Sequence, residues 1–411
     1  MAVSNRPPAN GFVRVMRFIY NPIGFSKGYN FILFFIFGGA LLGFTLARFQ
    51  YVDFHGRFCG PPNGMDHALA GECYYYNVGY EKIGIIMHLV CILPASLLVC
   101  FQFVPVIRHK ALIIHRINGY IVILLALAGT AGAIMATRHA FGGGMDIQTG
   151  VGFLSIIFLV SLVMGYINIK RLQLEQHRAW MLRAWVYAGS IITVRIIAFA
   201  ASAIISSMGP FYQLRECGQV EEAFGNLGNW TAVVYPECTG YMAGNDTHAL
   251  TRVKADVNGS PIELAVAFGT MFGASLWLSI ALHAIGVEIY LRLTPAESER
   301  LRNISYQRQL EAGMKNPGAA GLTADRFGDS DKWKPKYESC SGEEHGLTPI
   351  PQKALGEETT AYLGPGSSVP IDERHSSTPS VQPLVSQGQV PPNPARPYAY
   401  DYHNERGAYS R

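Results

Sequence analysis

Long apolar runs alternate with short polar stretches through the first 293 residues, and the chain then becomes polar. Six runs are long enough to cross a bilayer as helices, which takes about 20 mostly apolar residues. They lie at Phe31–Phe49, Ile83–Ile107, Ile117–Thr137, Val151–Ile169, Ala184–Met208 and Ile262–Leu291. Only 15% of the residues are charged and 49% are hydrophobic, which is unusual for a soluble chain. The pattern predicts an all-α, polytopic transmembrane helical bundle of six spans.

The distribution of basic residues predicts the orientation of this bundle. Two short basic stretches, RHKALIIHR (108–116) and KRLQLEQHRAWMLR (170–183), lie on the same side of the spans. Because cytosolic loops are enriched in Lys and Arg, we expect both loops and both termini in the cytosol. No short hydrophobic core with a cleavage site precedes the first run, so we expect that run to act as a signal anchor.

The loops on the opposite side carry features of an oxidising lumen. An even set of cysteines lies there, at Cys59, Cys73, Cys217 and Cys238. Four cysteines allow three connectivities, and we favour Cys59–Cys73 with Cys217–Cys238. Three N-glycosylation patterns share one loop, at Asn229, Asn245 and Asn258. These features predict a multi-pass glycoprotein of the secretory pathway, in the endoplasmic reticulum or downstream.

The same patterns divide the chain into three parts. Residues 1–28 form a cytosolic juxtamembrane segment, and 29–292 form the transmembrane domain with luminal loops 50–82 and 209–261. Residues 293–411 form a cytosolic tail, in which AESERLRNISYQRQLEA predicts a short helix and the Pro- and Ser-rich remainder predicts disorder. The formal net charge of +4 is small, so no nucleic-acid partner is expected.

Three polar side chains inside the spans are candidates for catalysis. Arg195 lies ten residues past Trp185, roughly 15 Å into the bilayer, where a charge costs at least ~2.5–3.5 kcal/mol. His283 falls at a similar depth, and Glu288 lies nearer the cytosol. A carboxyl group in low dielectric can keep a proton and act as a general acid. Two structural alternatives stay open: Arg195 caps carbonyls of a broken helix, or Glu288 pairs with Arg292.

Four histidines near the ends of the spans suggest a different chemistry. His88 and His139 lie towards the luminal side, and His115 and His177 towards the cytosolic side. Two facing pairs in a helical bundle are what bis-histidine haem b ligation requires. Against haem, the second pair lies in basic loops, each histidine directly before an Arg. No HExxH or CxxC motif is present, and no metal site is expected.

The order of several short motifs resembles a known family. FQF (101–103), IHRINGY (114–120), FGGG (141–144), HRAWMLRAW (177–185) and ITVR (192–195) follow one another. In this order they resemble domain-of-unknown-function family 2306, small multi-helix membrane proteins with HR-x-x-G and HR-x-WM-x-R motifs. The resemblance covers Ile83 to Leu291, and the long loop and tail resemble its fungal, secretory-pathway branch. The basic motif residues are His115, Arg116, His177, Arg178 and Arg183.

Size, topology and fungal character are also similar to the membrane-bound terpene cyclases of fungal meroterpenoid pathways. This likeness implies an isomerase or lyase of secondary metabolism that cyclises a lipophilic isoprenoid substrate, taken from the membrane lipid, after protonation. Glu288 or His283 would supply the proton, Arg195 would orient it, and the HR motifs would hold the cytosolic mouth. No cofactor is expected for that reaction. The alternatives are a b-type haem electron carrier and a non-catalytic scaffold or lipid transporter. No oligomeric state is predicted.

Overall fold

The computed structural model describes residues 7–60, 68–226 and 229–335. In these ranges six helices are long and apolar enough to cross a membrane. They are α2 (Gly28–Val52), α3 (Gly79–Gln102), α5 (Leu112–Ala136), α6 (Met145–Lys170), α7 (Leu174–Met208) and α8 (Pro261–Leu293). Shorter helices are α1 (Gly11–Tyr20), α4 (Pro105–Lys110) and α9 (Pro295–Glu311). The prediction of an all-α polytopic membrane bundle is confirmed.

Local sequence signals account for several helix ends. Pro105 begins α4 and has no N–H to donate, so α3 ends at Gln102, before the predicted boundary at Ile107. At the start of α8, Ser260 and Glu263 form a capping box and Pro261 takes the first helical position. These caps satisfy backbone groups that the helix itself leaves unpaired.

The first span is irregular and lies at the edge of the bundle. It contains a π-helical turn at Phe34–Gly38 between α-helical parts, and ends in a 3₁₀ turn at Phe49–Val52. Only 6% of the residues in the most apolar stretch of α2 are buried inside the protein, against 56% in α8. Most of α2 is therefore left to face lipid. In contrast, α3 and α5 approach closely. A Cβ added at Gly132 would lie 2.5 Å from the backbone of α3 at Gly84 and His88, so glycine permits this contact.

One end of the bundle, which we call the disulfide face, carries the loops with both disulfides. Bonds join Cys59 to Cys73 and Cys217 to Cys238, as predicted, and indicate an oxidising secretory-pathway environment. Strands β1 (Tyr212–Glu216) and β2 (Leu250–Lys254) pair antiparallel, with Tyr212 opposite Lys254. Short helices and turns complete these loops, at Phe54–Phe58, Cys73–Tyr76, Ala140–Gly142, Cys217–Ala223, Asn229–Val234, Pro236–Cys238 and Thr239–Met242.

The opposite end of the bundle, which we call the basic face, carries the basic stretches 108–116 and 170–183. There the predicted boundary of the fifth span needs correction. Helix α7 begins at Leu174, ten residues before the predicted Ala184, so EQHRAWMLRAW is helical rather than a loop. The connection from α6 shrinks to residues 171–173, with Leu172 at a φ of 55°. The apolar pattern marks only the part of a helix inside the hydrocarbon, and charged residues do not end a helix.

Beyond the last span the chain folds back onto the basic face. Helix α9 confirms the predicted short helix, and Ala324–Phe327 forms a further turn. The side chains of Gln173 and Gln309 are fully buried and hydrogen-bonded to each other over 2.9 Å. Residues 336–411, which include most of the segment predicted to be disordered, lie outside the described residues.

Candidate functional site

Arg195 points towards the disulfide face. Its Nη1 donates to the Ile191 carbonyl over 2.6 Å, and its guanidinium lies 5.0 Å from the Phe44 ring and 5.8 Å from the Phe141 ring. Glu72 is an electrostatic neighbour. The side chain therefore joins α7 to the first span and to the turn after α5, and the Ile191 carbonyl that it contacts belongs to a continuous helix, not to a broken one.

His283 contacts α7 on another side. Its Nδ1 lies 2.6 Å from the Val186 carbonyl oxygen and its Nε2 lies 2.8 Å from the Thr193 hydroxyl. At 100° per residue, positions 193 and 195 are about 200° apart around a helix. His283 and Arg195 are therefore on opposite sides of α7 despite their similar depth.

Glu288 lies in an ion pair at the basic face. Arg183 donates to both of its carboxylate oxygens, over 2.6 and 3.0 Å, and Arg292, the alternative partner, is an electrostatic neighbour. Twelve residues of α7 separate Arg183 from Arg195, about 18 Å along the helix axis. The structure thus does not bring Arg195, His283 and Glu288 together into one site.

Two buried acidic residues that are absent from the predicted site lie on the disulfide face, and one of them, Glu72, is an electrostatic neighbour of Arg195. Glu72 is 5% exposed and accepts hydrogen bonds from the backbone N–H groups of Phe141 (2.6 Å) and Leu69 (3.1 Å). Glu81 is 6% exposed, and its Oε1 lies 2.7 Å from Nδ1 of His139. The other oxygen of Glu81 is buried and has no hydrogen-bond partner among the described residues. We call Glu72, Glu81, His139 and Arg195 the acid cluster.

Aromatic rings form one side of the acid cluster. Tyr75 stacks on His139 with ring centroids 3.8 Å apart, and Phe141 stacks on Phe272 at 3.7 Å. Burial, together with the charges of Glu72 and Glu81, raises the pKa of Tyr76. Burial and the nearby Glu216 likewise raise the pKa of Tyr75. Both phenols are therefore neutral hydrogen-bond donors at physiological pH.

A sequence signal for this cluster existed but was weak. Glu72 directly precedes Cys73, and Glu81 lies in the first turn of α3, where an acidic side chain is favoured by the helix dipole. Both positions fell within the predicted loop 50–82. Their approach to His139 and Phe141 depends on the Gly-rich turn after α5, whose Phe141 has a φ of 53°. Tertiary contacts of this kind leave no periodic pattern.

Three of the four histidines proposed as haem ligands, His88, His139 and His177, have a hydrogen-bond partner at Nδ1. His88 and His177 each place Nδ1 against a backbone carbonyl oxygen, of Gly129 at 2.8 Å and of Gly165 at 2.9 Å. His115 and His177 are electrostatic neighbours. His139 instead contacts Glu81, seven residues before His88 on α3, or about 10 Å along the helix.

The HR motif residues mostly connect helices at the basic face. Arg178 donates to the hydroxyl of Tyr290 over 3.0 Å, and that hydroxyl donates to the Asn30 side chain over 3.0 Å. The Arg183 guanidinium lies 4.7 Å from the Trp180 ring. Arg116 is exposed. These contacts fix α7 against α8 and the start of α2.

Comparison with known proteins supports the family resemblance. Residues 85–218 match the family described as "Predicted membrane protein (DUF2306)", a range that contains both HR motifs. The chain is 26% identical over 343 residues to the Aspergillus versicolor protein named "Ava biosynthesis cluster protein G". The match covers 72% of this chain and 97% of that protein. No solved structure matches the chain.

Proposed function

We propose that this protein is an integral-membrane enzyme of fungal secondary metabolism that cyclises a lipophilic isoprenoid substrate after protonation. The observation that carries the proposal is the pair of a buried Glu81 and a partly exposed His139 beside aromatic rings, with one carboxylate oxygen of Glu81 unused among the described residues. The name of the Aspergillus relative, a protein of a biosynthesis cluster, supports a place in secondary metabolism.

In this proposal Glu81 and His139 share the proton that starts the reaction. The proton passes to an epoxide oxygen or an alkene carbon of the substrate, and the C–O or π bond opens to a carbocation. A second alkene attacks the cation and forms the new C–C bond, and loss of a proton ends the reaction. Aromatic rings can stabilise the cation through their π faces. Arg195 acts as a positioning residue, since it lies on Phe44 and Phe141 and close to Glu72.

Glu288, the acid favoured by the sequence pattern, is less suited to this role. Both of its oxygens accept hydrogen bonds from Arg183, so neither is free to donate a proton to a substrate. His283 is also bonded at both ring nitrogens. The proposed acid is therefore Glu81 with His139.

Deleting the gene in its host and comparing metabolites by liquid chromatography and mass spectrometry tests the proposal. A cyclisation of this type conserves the atoms of the substrate, so the deletion strain should accumulate an isomer of the lost product. An accumulated compound that differs in its number of hydrogens would instead indicate a redox step. If the deletion strain makes the same compounds as its parent but distributes them differently between cells and medium, the protein is a transporter. Either of these results contradicts cyclisation.

A haem electron carrier is the second candidate, and one observation favours it. In His88 and His177 a carbonyl bond at Nδ1 leaves Nε2 available, which is the usual arrangement of a metal-ligating histidine. The test is a dithionite-reduced minus oxidised visible spectrum of purified protein in detergent. A sharp α-band in the haem b region supports the carrier. A flat spectrum from folded protein supplied with haem removes this candidate.

A further inference from the structure

A second charged cluster lies on the basic face, away from the acid cluster. Its centre is Arg108 of α4, whose electrostatic neighbours include Arg178 of α7 and Arg300 of α9. The side chains of His115 and His177 also lie within electrostatic range of Arg108. Four helices thus bring two further guanidinium groups and two imidazoles within electrostatic range of Arg108, and we call these five side chains the Arg108 cluster.

The Arg108 cluster has too little negative charge to balance its cations. Glu297 is the carboxylate among the electrostatic neighbours of Arg108 within the described residues. Arg300 donates to both of its oxygens, over 2.7 and 2.8 Å. Burial lowers the pKa of Arg108, Glu297 opposes this effect, and Arg300 and Arg178 add to it. The positive charge of Arg108 is therefore poorly compensated by the protein.

Arg108 also lacks a direct partner in the described part of the chain. Its hydrogen-bond donors make no hydrogen bond there, and no carboxylate lies within ion-pair distance. The side chain is half-buried rather than sealed, so a ligand can reach it. Nδ1 of His115 is a buried atom with no hydrogen-bond partner among the described residues. A partly buried guanidinium that loses water without gaining a partner is unfavourable, and a bound anion removes that cost.

We propose that the Arg108 cluster binds a phosphate or diphosphate group at the level of the lipid headgroups. Arg guanidinium groups bind the oxygens of phosphate in a bidentate manner, and several positive charges suit a multiply charged anion. His115 and Arg178 lie within the first five residues of α5 and α7, at the basic ends of these two spans. The inference is independent of the proposed cyclisation, which does not use this cluster.

Ligand-induced thermal stabilisation of the purified full-length protein in a non-ionic detergent tests this site. Three probes are compared at constant ionic strength: inorganic pyrophosphate, short-chain phosphatidate, and the matching uncharged diacylglycerol. Arg108→Gln removes the central charge, and Lys110→Gln removes an exposed charge from the same short helix as a matched control. Wild type and Lys110→Gln should bind equally, and Arg108→Gln should bind at least about tenfold more weakly, a loss of about 1.4 kcal/mol.

The probes distinguish the two sources of the anion. Binding of pyrophosphate alone assigns the site to a free diphosphate, and binding of phosphatidate but not pyrophosphate assigns it to a lipid headgroup. The proposal is overturned if neither anion stabilises the protein, if diacylglycerol works as well as phosphatidate, or if Arg108→Gln binds like the wild type.

A second variant serves if Arg108→Gln does not fold. Arg300→Gln frees Glu297 to pair with Arg108, so it should weaken binding in the same way while keeping the Arg108 side chain. Unchanged anion binding in folded Arg300→Gln would also contradict the site.

Discussion

At the level of single residues, the contacts of each polar side chain, and not its depth in the bilayer, decide whether it belongs to the acid cluster. The depth of Arg195 was predictable from its distance to Trp185, but its neighbours were not. Phe44 and Phe141 reach it from separate segments of the chain. Glu288 is identifiable from the sequence as a carboxylate within a span. Its contact with Arg183 joins two different helices, so the spacing along one helix does not predict it.

Replacing Arg195 with Leu tests the residue that links α7 to the acid cluster. The change removes the guanidinium that lies on Phe44 and Phe141 and close to Glu72, so turnover should be abolished while expression is retained. Arg195→Lys keeps the charge but loses the planar group that stacks on rings, and should recover only part of the activity. Metabolite formation is measured in a deletion strain that carries each variant at equal protein level. Full activity in Arg195→Leu would remove Arg195 from the site.

At the level of elements, apolar length was sufficient to locate all six spans but not to place their ends. Helix α7 begins ten residues before the predicted start of its apolar run, because the charged residues in between do not end the helix. The fold-back of the chain after α8 had no apolar signature, because it is held by polar groups. Gln173 accepts hydrogen bonds from Gln309 and from the Gly321 N–H, and donates to the Gly318 carbonyl. Such a network is visible only once the segments are together.

Replacing Gln309 with Leu should release the segment that follows α9. The change leaves the Arg171 carbonyl and the Gly318 N–H without the partner they have in the folded protein. Each unsatisfied buried group costs about 1–3 kcal/mol, so local opening should become at least tenfold more frequent by the same estimate. Limited trypsin digestion at Lys315 measures the opening. Gln307→Leu, an exposed change on the same helix, is the control and should digest like the wild type. Equal digestion rates for all three proteins would show that the network does not hold the segment.

At the level of the whole molecule, the two faces differ in chemistry. Both disulfides lie on one face, and the Arg108 cluster with the HR motifs lies on the other. The orientation, in which the basic loops and both termini are cytosolic, stays a prediction. The three glycosylation sites remain predictions. Asn245 and Asn258 are exposed on the disulfide face, and Asn229 begins a short helix.

Glycosylation mapping tests the orientation, because the chain carries an acceptor pattern on each face. Asn245-Asp-Thr lies on the disulfide face and Asn303-Ile-Ser lies in α9 on the basic face. Asn245→Gln should reduce the mobility shift produced by a glycosidase, and Asn303→Gln should leave it unchanged. A glycan at Asn303 would place the basic face in the lumen and reverse the predicted orientation.

Conversion of the accumulated precursor by isolated membranes tests whether Glu81 starts a cyclisation. The precursor is purified from the deletion strain and incubated with membranes that contain wild type, Glu81→Gln or Glu288→Gln, without an added electron donor. Wild type and Glu288→Gln should form a product of unchanged mass and shifted retention, and Glu81→Gln should form none. Turnover by Glu81→Gln at the wild-type rate, or a product of different mass, would contradict proton-initiated cyclisation at this site.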